Sequence, residues 1–499
     1  MTQTGSVAAD RLSDWISLGV LASWVPRDTV DEAVQVTGRT AKRKGGKLPP
    51  HVMVCFTMAL ALLAGEDYEE VWARLTETLA EWGCWEDEQA TVTTGGITQA
   101  RQRLGEEPVR ETFARVAVPV ATEDTPGAFL RAWRKMSIDG LEWDVPDTEA
   151  NAAAFGYPGA GKDAAPAAFP KARAVTIAEC ASHAPVLAAI GPCVSKGSGE
   201  QSLARTLYPR LEEDWLLIAD RNFYNWQDWC TAADTGAALL WRVKSDLILE
   251  PLEFFPDGSY RSVVVNPKVT GRAREKIRAT ARAGDDLDPG KARYVRAVEY
   301  EVPDREGDGK DEIIALITTI TEFPDAPAGI LARAYHERWE HETGNRQVKT
   351  YLRGPGKILR SQSPDLVKQE IWGYFLTHYA VSALICTAAT AAGIDPDRVK
   401  FKRTVRIIRR RADDPASPPN GKQQRVLDRV MAAITSPKHL NKKRERSYPR
   451  VVKRARHNSY RVKKPGQHGT RHDAPPNVKL VNPAFTREDT GAAALPKTS

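Results

Sequence analysis

The sequence lacks an apolar run long enough to cross a bilayer. Its longest apolar run, residues 52–64, falls short of the roughly 20 residues that a membrane-spanning helix needs, and it predicts a buried helix instead. No basic stretch followed by an apolar one opens the chain, so the sequence predicts no secretory signal. We therefore expect a cytoplasmic protein with no membrane partner.

Cysteine is scarce and is not arranged for cross-linking. The six cysteines include no C-x-x-C pair, and they lie at Cys55, Cys84, Cys180, Cys193, Cys230 and Cys386. Most of them have apolar or small neighbours, which is typical of reduced structural thiols. Disulfides and a zinc site are therefore not expected.

The pattern of apolar residues divides the chain into segments of different secondary structure. At 499 residues the chain is too long for one ordinary core, so we expect two to four domains. Residues 1–130 have a mostly helical pattern, with clear helices at 68–79 and 97–104. Short β-type runs at 135–139, 174–180, 185–192 and 215–220, with a helix at 200–211, then indicate an α/β domain.

The second half of the chain changes character twice. Residues 236–321 predict strands and turns, including a hairpin signal, Pro-Asp-Gly-Ser, at 256–259. Helical pattern then resumes, and Ser363 followed by Pro364 predicts the start of a long helix over 364–392. We place the α/β domain at residues 131–412 and a basic, partly disordered region at 413–499.

Positive charge is concentrated near the C-terminus. Between Arg398 and Lys464 there are 23 Lys and Arg residues against four Asp and Glu, a local charge of +19. Because the whole chain carries +7, the rest of it carries −12. Such a segregated basic segment is typical of a protein that binds a polyanion, since its cations neutralise phosphates and release counterions. A solvated tail without a partner is the alternative.

Four polar residues with helical spacing lie in residues 334–352: Tyr335, Arg338, Glu342 and Lys349. In one continuous α-helix, at about 100° per residue, they share a face roughly 60° wide. A carboxylate flanked by a guanidinium, an ammonium and a phenol suits metal-assisted chemistry on a phosphate, because the carboxylate binds a divalent cation while its neighbours bind phosphate oxygens. The alternative is a solvated helix face with ion pairs four residues apart.

Two aspartates are predicted at strand ends upstream of this array. Asp139 ends the first of the β-type runs, and Asp220 ends the last of them. In open α/β sheets, functional side chains collect at the carboxyl ends of strands. With Glu342 these residues make an acidic triad for two Mg²⁺ ions about 4 Å apart. A single strand-end aspartate, taken alone, is more often a turn former.

These residues and their neighbours resemble the insertion-sequence-four family of bacterial DDE transposases, whose signature is Y-R-E-K. Residues 137–140 (Ser-Ile-Asp-Gly) are similar to the family's first-aspartate region, and residues 218–224 (Ile-Ala-Asp-Arg-Asn-Phe-Tyr) are similar to its second. Residues 97–105 resemble its N-terminal domain, and residues 449–454 resemble its basic tail. The resemblance covers about residues 10 to 465.

The resemblance implies a ribonuclease H-like catalytic fold, interrupted by an all-β insertion ahead of the helix that bears the glutamate. The β-rich stretch at residues 236–321 occupies that place. Carried over residue by residue, the resemblance makes Asp139, Asp220 and Glu342 the catalytic and metal-binding triad, with Mg²⁺ as the metal and Mn²⁺ as its substitute. Tyr335, Arg338 and Lys349 then bind the phosphates of the transposon ends.

The same resemblance implies the partners. They are double-stranded DNA, both the terminal inverted repeats and the target, and a second copy of the chain, since a homodimer pairs two ends. The N-terminal helical domain is the first candidate for reading the ends, and the basic tail is expected to bind phosphates. The expected reaction is metal-dependent cleavage of transposon ends followed by strand transfer, that is, cut-and-paste transposition.

Two departures from the family pattern concern single positions. Asn222 occupies a turn position where the family often has glycine, and asparagine also tolerates positive φ. A tryptophan that in related enzymes helps to hold a flipped base has no counterpart in the aliphatic strand predicted at residues 312–321.

Two other motifs predict no site. Residues 156–163 nearly match a P-loop, but Asp163 stands where a Ser or Thr must bind Mg²⁺, so a loop is the better interpretation. His336 and His341 would diverge by roughly 140° on a helix, so we expect surface histidines or DNA contacts rather than a metal-binding pair.

Other classes of protein stay open at this point. A host nuclease on the same fold cuts DNA without needing paired terminal repeats. An inactive transposase only binds DNA, and a general chromosome-binding protein accounts for the basic segment alone. The intact triad and four-residue array favour the active transposase.

Overall fold

The computed structural model describes residues 18–41, 48–81, 92–158, 167–194, 197–302, 313–411, 422–441 and 478–481. Within these ranges the α-helices are α1 (Arg27–Val36), α2 (Pro50–Leu62), α3 (Tyr68–Glu81), α4 (Thr94–Leu104), α5 (Glu107–Val116), α6 (Glu149–Phe155), α7 (Glu200–Arg205), α8 (Trp226–Ala233), α9 (Gly271–Ala283), α10 (Ala328–His336), α11 (Trp339–Arg346), α12 (Pro364–Ala391), α13 (Phe401–Arg409) and α14 (Lys422–Ile434). A π-helix, Gln347–Leu352, follows α11 directly.

The strands in the same ranges are β1 (Phe129–Leu130), β2 (Trp133–Asp144), β3 (Lys171–Glu179), β4 (Pro185–Pro192), β5 (Trp215–Ala219), β6 (Ala238–Arg242), β7 (Glu253–Phe254), β8 (Tyr260–Val265), β9 (Ala292–Glu301), β10 (Ile314–Thr318) and β11 (Lys479–Leu480). Parts of three predicted segments lie outside the described residues: 159–163 of the P-loop-like stretch, 303–312 of the β-rich stretch, and 413–421, 442–477 and 482–499 of the basic region.

The chain folds into two compact units. Unit 1 comprises Met1–Ala128, Asp139–Leu203 and Glu340–Lys442, and unit 2 comprises Phe129–Ile138, Ala204–Trp339 and Lys443–Ser499. Strand β2 contains residues of both units, because the chain passes from unit 2 to unit 1 between Ile138 and Asp139. Each unit combines helices with strands, so the predicted α/β class is confirmed.

Helix α12 forms the centre of the unit 1 core. It begins with Pro364 in its first turn, where the sequence predicts its start. Its length and apolar composition would suit a membrane span, but 94 % of its most apolar window is buried inside the protein. Gly373 permits a close approach to helix α2, since a Cβ at this position would stand 2.7 Å from the carbonyl oxygen of Thr57. We conclude that α12 is a core helix of unit 1.

A fully buried arginine joins α4 to α12 within unit 1. The guanidinium of Arg101 donates to Gln369 Oε1 at 2.8 Å, to Ser361 Oγ at 3.1 Å and to the carbonyl oxygen of Leu366 at 3.3 Å. In return the Gln369 amide donates to the carbonyl oxygens of Arg101 and Gly105. These reciprocal bonds fix the register of the two helices, because buried polar groups need partners.

Unit 2 is built on a sheet of mixed direction. Strands β2, β5 and β6 are parallel, and β5 is buried along its whole length. The continuous apolar run Trp-Leu-Leu-Ile-Ala is typical of such a central parallel strand. Strands β6, β10, β9, β8 and β7 then continue in antiparallel order, and β11 pairs with β9.

The predicted β-rich insertion at residues 236–321 is not all β. Strands β6 to β10 lie in it, and the predicted hairpin joins β7 to β8. However, helix α9 occupies its middle. The α9 sequence, GRAREKIRATARA, is rich in alanine, arginine, lysine and glutamate, which are strong helix formers. The all-β prediction is therefore wrong for this segment.

The buried arginine generates a stability prediction. We expect Arg101→Ala to lower the free energy of unfolding by about 2–4 kcal/mol, because Gln369 and Ser361 lose buried partners. Arg103→Ala on the same helix changes an exposed arginine and should cost less than about 0.5 kcal/mol. Urea titration followed by circular dichroism measures both, and equal losses would show that the guanidinium bonds contribute nothing.

Candidate active site

Asp139 lies inside strand β2 rather than at its end. The sequence predicts a strand that stops here, but the strand continues to Asp144. Leu141 and Trp143 are buried and alternate with polar residues, so the period-two pattern that supports a strand extends past Asp139. The predicted strand end at Asp139 is therefore wrong.

Asn345 joins Asp139 to the helix that bears Glu342, within unit 1. Its Nδ2 donates to Asp139 Oδ2 at 3.3 Å and to the carbonyl oxygen of Gly140 at 3.5 Å. Residues three apart on an α-helix are neighbours on its surface, so Glu342 lies on the same side of α11 as Asn345. The sequence interpretation missed Asn345, although its spacing from Glu342 was the available signal.

Gly140 makes room for a further carboxylate in unit 1. A Cβ at Gly140 would stand 2.5 Å from Oε1 of Glu200, closer than any real contact. The side chain of Glu200, at the start of α7, therefore packs directly over the residue that follows Asp139. From the sequence, Glu200 was only the first residue of a predicted helix.

Asp220 follows the last residue of strand β5, in agreement with the predicted strand end. Strand β5 pairs in parallel with β2, and the register joins Ile218 to Ser137. Asp220 stands two residues beyond Ile218 in the chain, and Asp139 stands two residues beyond Ser137. Each aspartate therefore follows its own member of the Ser137–Ile218 pair by two residues in the sequence.

The helix predicted to carry the four-residue array is interrupted. Helix α10 ends at His336, and Glu337 and Arg338 form a turn before α11 begins. The backbone N–H of Arg338 donates to the carbonyl oxygen of Tyr335 at 3.2 Å, a bond over three residues that tightens the end of α10. The prediction of one continuous helix over residues 334–352 is therefore wrong.

The π-helix changes the register of this segment a second time. Its bonds span five residues, and at its end the N–H of Arg353 donates to the carbonyl oxygen of Val348 at 3.0 Å. Lys349 lies in the π-helix, whereas Glu342 lies in α11. These two residues belong to unit 1, while Tyr335 and Arg338 belong to unit 2.

Within unit 2 the structure brings Tyr335 and Arg338 together with Asp220. Arg338 is 7 % exposed, and its Nη2 lies 3.7 Å from Asp220 Oδ2. Burial, reinforced by the charge of Asp220, raises the pKa of Tyr335 to about 12 despite the opposing guanidinium. The phenol is therefore protonated at neutral pH and can donate a hydrogen bond to an anion.

Within unit 1, Lys349 interacts electrostatically with Asp139. Burial, followed by repulsion from Arg353 and Lys171, lowers the pKa of the Lys349 ammonium, while Glu142 and Asp139 act in the opposite direction. An anion bound beside Lys349 would favour its charged form. The environment of this lysine thus suits an anionic ligand.

A buried polar network holds α11 and the π-helix in unit 1. His183, in the turn between β3 and β4, has its Nε2 2.6 Å from Glu340 Oε2 and 3.2 Å from Asp397 Oδ1. Its Nδ1 is 3.0 Å from Gln347 Nε2, and Gln347 Oε1 is 2.9 Å from His378 Nε2. Burial, followed by repulsion from His183 and His341, lowers the pKa of His378 to about 3, so its ring is neutral.

Three members of this network also meet the distance requirement of a metal site. The ligand atoms of His183, Glu340 and Asp397 lie within 4.8 Å of one another. However, the 2.6 Å between His183 and Glu340 is the length of a charge-assisted hydrogen bond, shorter than the roughly 3.3 Å between ligands of a tetrahedral zinc ion. In this geometry His183 and Glu340 bind each other directly, and Asp397 Oδ1 lies near the same nitrogen at 3.2 Å.

The two histidines next to the array are not on the surface. His336 and His341 are 8 % and 3 % exposed. His336 Nε2 lies 3.2 Å from Tyr300 Oη, and His341 Nε2 lies 2.8 Å from Thr176 Oγ1. The prediction of surface histidines is wrong, because each ring is buried within its own unit against a hydroxyl group.

His183 provides a prediction about backbone strain, because its φ is +62°. We expect His183→Ala to lower the free energy of unfolding by about 3–5 kcal/mol, since Glu340 loses its buried partner. His183→Gly loses the same ring but removes the Cβ strain, so it should be roughly 1–2 kcal/mol less destabilising than the alanine variant. Urea titration of both variants measures the difference. If the glycine variant is as unstable as the alanine variant, the positive φ at residue 183 causes no strain.

Comparison with known proteins places the chain in a class. The sequence family described as insertion element 4 transposase N-terminal matches residues 15–114. The chain is also 27% identical over 437 residues to the transposase InsG for insertion sequence element IS4 of Escherichia coli (strain K12), which covers 87% of this chain and 91% of that one. The class is therefore that of the transposases.

Within this class the chain is similar to the transposases of insertion sequence IS4, over its N-terminal domain and over most of its length. A solved structure, the piggyBac transposase synaptic complex with hairpin DNA, has a TM-score of 0.41 and 9% sequence identity to the chain. That likeness covers 83% of this chain and 84% of the other.

Proposed function

We propose that this protein is a DNA transposase that cleaves the ends of its own insertion sequence and joins them to target DNA in a metal-dependent reaction. The similarity to insertion sequence transposases supports the transposase function. The observation that carries the cleavage chemistry is the bond between Asn345 and Asp139, because it joins one acid of the proposed triad to the helix of another, Glu342.

The proposed catalytic triad is Asp139, Asp220 and Glu342. Three carboxylates offer the hard oxygen donors that Mg²⁺ prefers, so the donor set fits two Mg²⁺ ions, with Mn²⁺ as a substitute. The resemblance of residues 137–140 and 218–224 to the two aspartate regions of the family supports the use of Asp139 and Asp220 in one site. When bound, the metal ions supply Lewis acidity and lower the pKa of a water or hydroxyl nucleophile. A ribonuclease H-like arrangement of the core is part of this proposal.

The residues around the acids are proposed to bind DNA phosphates. Tyr335 keeps its proton at neutral pH and donates to a phosphate oxygen, and the Arg338 guanidinium adds a charge-assisted bond. A phosphate beside Lys349 would offset the burial and the repulsion from Arg353 that lower the pKa of its ammonium, and would favour the charged form. These three groups hold and orient the scissile backbone, which is the largest contribution a protein makes to phosphoryl transfer.

The other parts of the proposed function concern the partners. We infer that the N-terminal helical domain, residues 1–130, reads the terminal inverted repeats, and that the basic segment binds the backbone of the repeats and of target DNA. Residues 131–412 form the catalytic domain in this proposal. Two copies of the chain pair two transposon ends, in the cytoplasm of a bacterial cell, on nucleoid DNA.

Removal of one carboxylate tests this function. We expect Glu342→Gln to lower cleavage of a duplex carrying the element's terminal repeat by about 10³-fold or more, because an amide is a weak metal ligand. Binding of the same duplex should change little. Gel assays of cleavage and strand transfer with and without Mg²⁺ measure the first effect, and fluorescence anisotropy measures the second.

The matched control is Glu275→Gln, the same chemical change on the exposed surface of α9. This variant should cleave as the natural protein does. Mg²⁺-dependent cutting that survives in Glu342→Gln would exclude the proposed triad. Cutting that needs no terminal repeat, and is not followed by strand transfer, would indicate a nuclease instead.

A further inference from the structure

A basic cleft of about 510 Å³ lies between helices α13 and α14 of unit 1. Four arginines line it, and its apolar floor is provided by Ile407, Val430 and Ala433. The arginines are Arg403 on α13, Arg410 and Arg411 directly after it, and Arg429 on α14. No acidic residue is among the lining residues of this described part of the chain.

Three of the four arginines in this cleft are not balanced by acids of the described ranges. There, Arg403, Arg410 and Arg429 form no ion pair with an aspartate or glutamate, and the Nε–H of Arg403 is buried without a hydrogen-bond acceptor. Guanidinium groups that line one cleft repel one another, and a bound anion would reduce this repulsion. The arrangement therefore favours an anionic ligand.

A nearby histidine shows the same positive potential. Loss of hydration, followed by repulsion from Arg403, Lys400 and Lys438, lowers the pKa of His439. All three cations disfavour a further positive charge at this end of unit 1. The potential thus extends beyond the lining residues of the cleft.

We propose that this cleft binds a backbone phosphate of double-stranded DNA. Guanidinium forks bind phosphate oxygens in bidentate fashion, and a volume of this size admits a phosphate with its sugar. The inference rests on the proposed DNA transposase function. It adds a binding site that is formed by α13 and α14 and contains none of the proposed catalytic residues.

Two charge-matched double variants test the cleft. Arg410→Gln with Arg429→Gln removes two exposed charges from the cleft, and Arg272→Gln with Lys276→Gln removes two exposed charges from α9, outside both the cleft and the basic segment. Fluorescence anisotropy with a duplex of arbitrary sequence, without divalent metal and over a range of salt concentrations, gives the affinity and its salt dependence. Thermal unfolding verifies that both variants fold.

We expect the cleft variant to bind about 10-fold more weakly and to lower the slope of log affinity against log salt by about 1–2. The control variant should change the affinity by less than about 3-fold. Equal losses in both variants would overturn the proposal, since they would show an effect of general charge. Unchanged binding in the cleft variant would overturn it as well.

Titration with inorganic phosphate at constant ionic strength separates the two sources of a phosphate group. A cleft variant that loses phosphate binding but binds DNA normally would assign the cleft to a small anion and overturn the proposal. Because the DNA is of arbitrary sequence and no cleavage is needed, the outcome is independent of the catalytic triad. If the natural protein does not cleave transposon ends but the cleft variant shows the predicted loss of DNA affinity, the proposed function is wrong and the cleft is still a DNA-binding site.

Discussion

Unit 1 depends on one constraint: two long polar side chains that helix α12 buries, Gln369 and His378, need hydrogen-bond partners. Gln369 binds Arg101, and His378 binds Gln347, each across a long distance in sequence. An unpaired buried polar group costs about 1–3 kcal/mol, so these pairs select which surfaces can pack against the helix. Hydrophobic burial contributes more free energy, but it has no direction and could not set the register alone.

The constraint reaches the proposed active site through Gln347. This residue begins the π-helix, and its amide binds His378 on one side and His183 on the other. The change from α- to π-helix therefore occurs where the side chain is most constrained. Because Glu342 and Asn345 lie just before this point, the buried network determines the orientation of the helix face that meets Asp139.

The sequence predicted the helices and strands that are apolar along their length. It did not predict features that depend on contacts between residues distant in the chain. The strand at residues 215–219 and helix α12 are apolar along their length, and both were predicted closely. The break at Glu337 and Arg338 contains neither proline nor glycine; in unit 2, Glu337 forms an ion pair with Lys135, a contact without any local signal. Helix α9 was missed because its apolar residues are four alanines and Ile277, and only Ala281 is buried, so it shows little of the apolar pattern that identifies a core helix. The three acids of the proposed site have recognisable sequence patterns, whereas Asn345 and Glu200 do not.

The same distinction applies to charge. A count of lysines and arginines identified a basic segment, but the described arginines of this protein have two different environments. In the first environment a guanidinium nitrogen lies close to a carboxylate oxygen. The distances are 2.8 Å for Arg173, 2.6 Å for Arg205 and 2.6 Å for Arg293, so the charge of these arginines is balanced inside the fold. In the described part of the chain, Arg403 and Arg410 have no such acid. Only an unbalanced cation gains free energy from a phosphate without first breaking an ion pair, so the arrangement of charge, more than its amount, marks a surface for DNA.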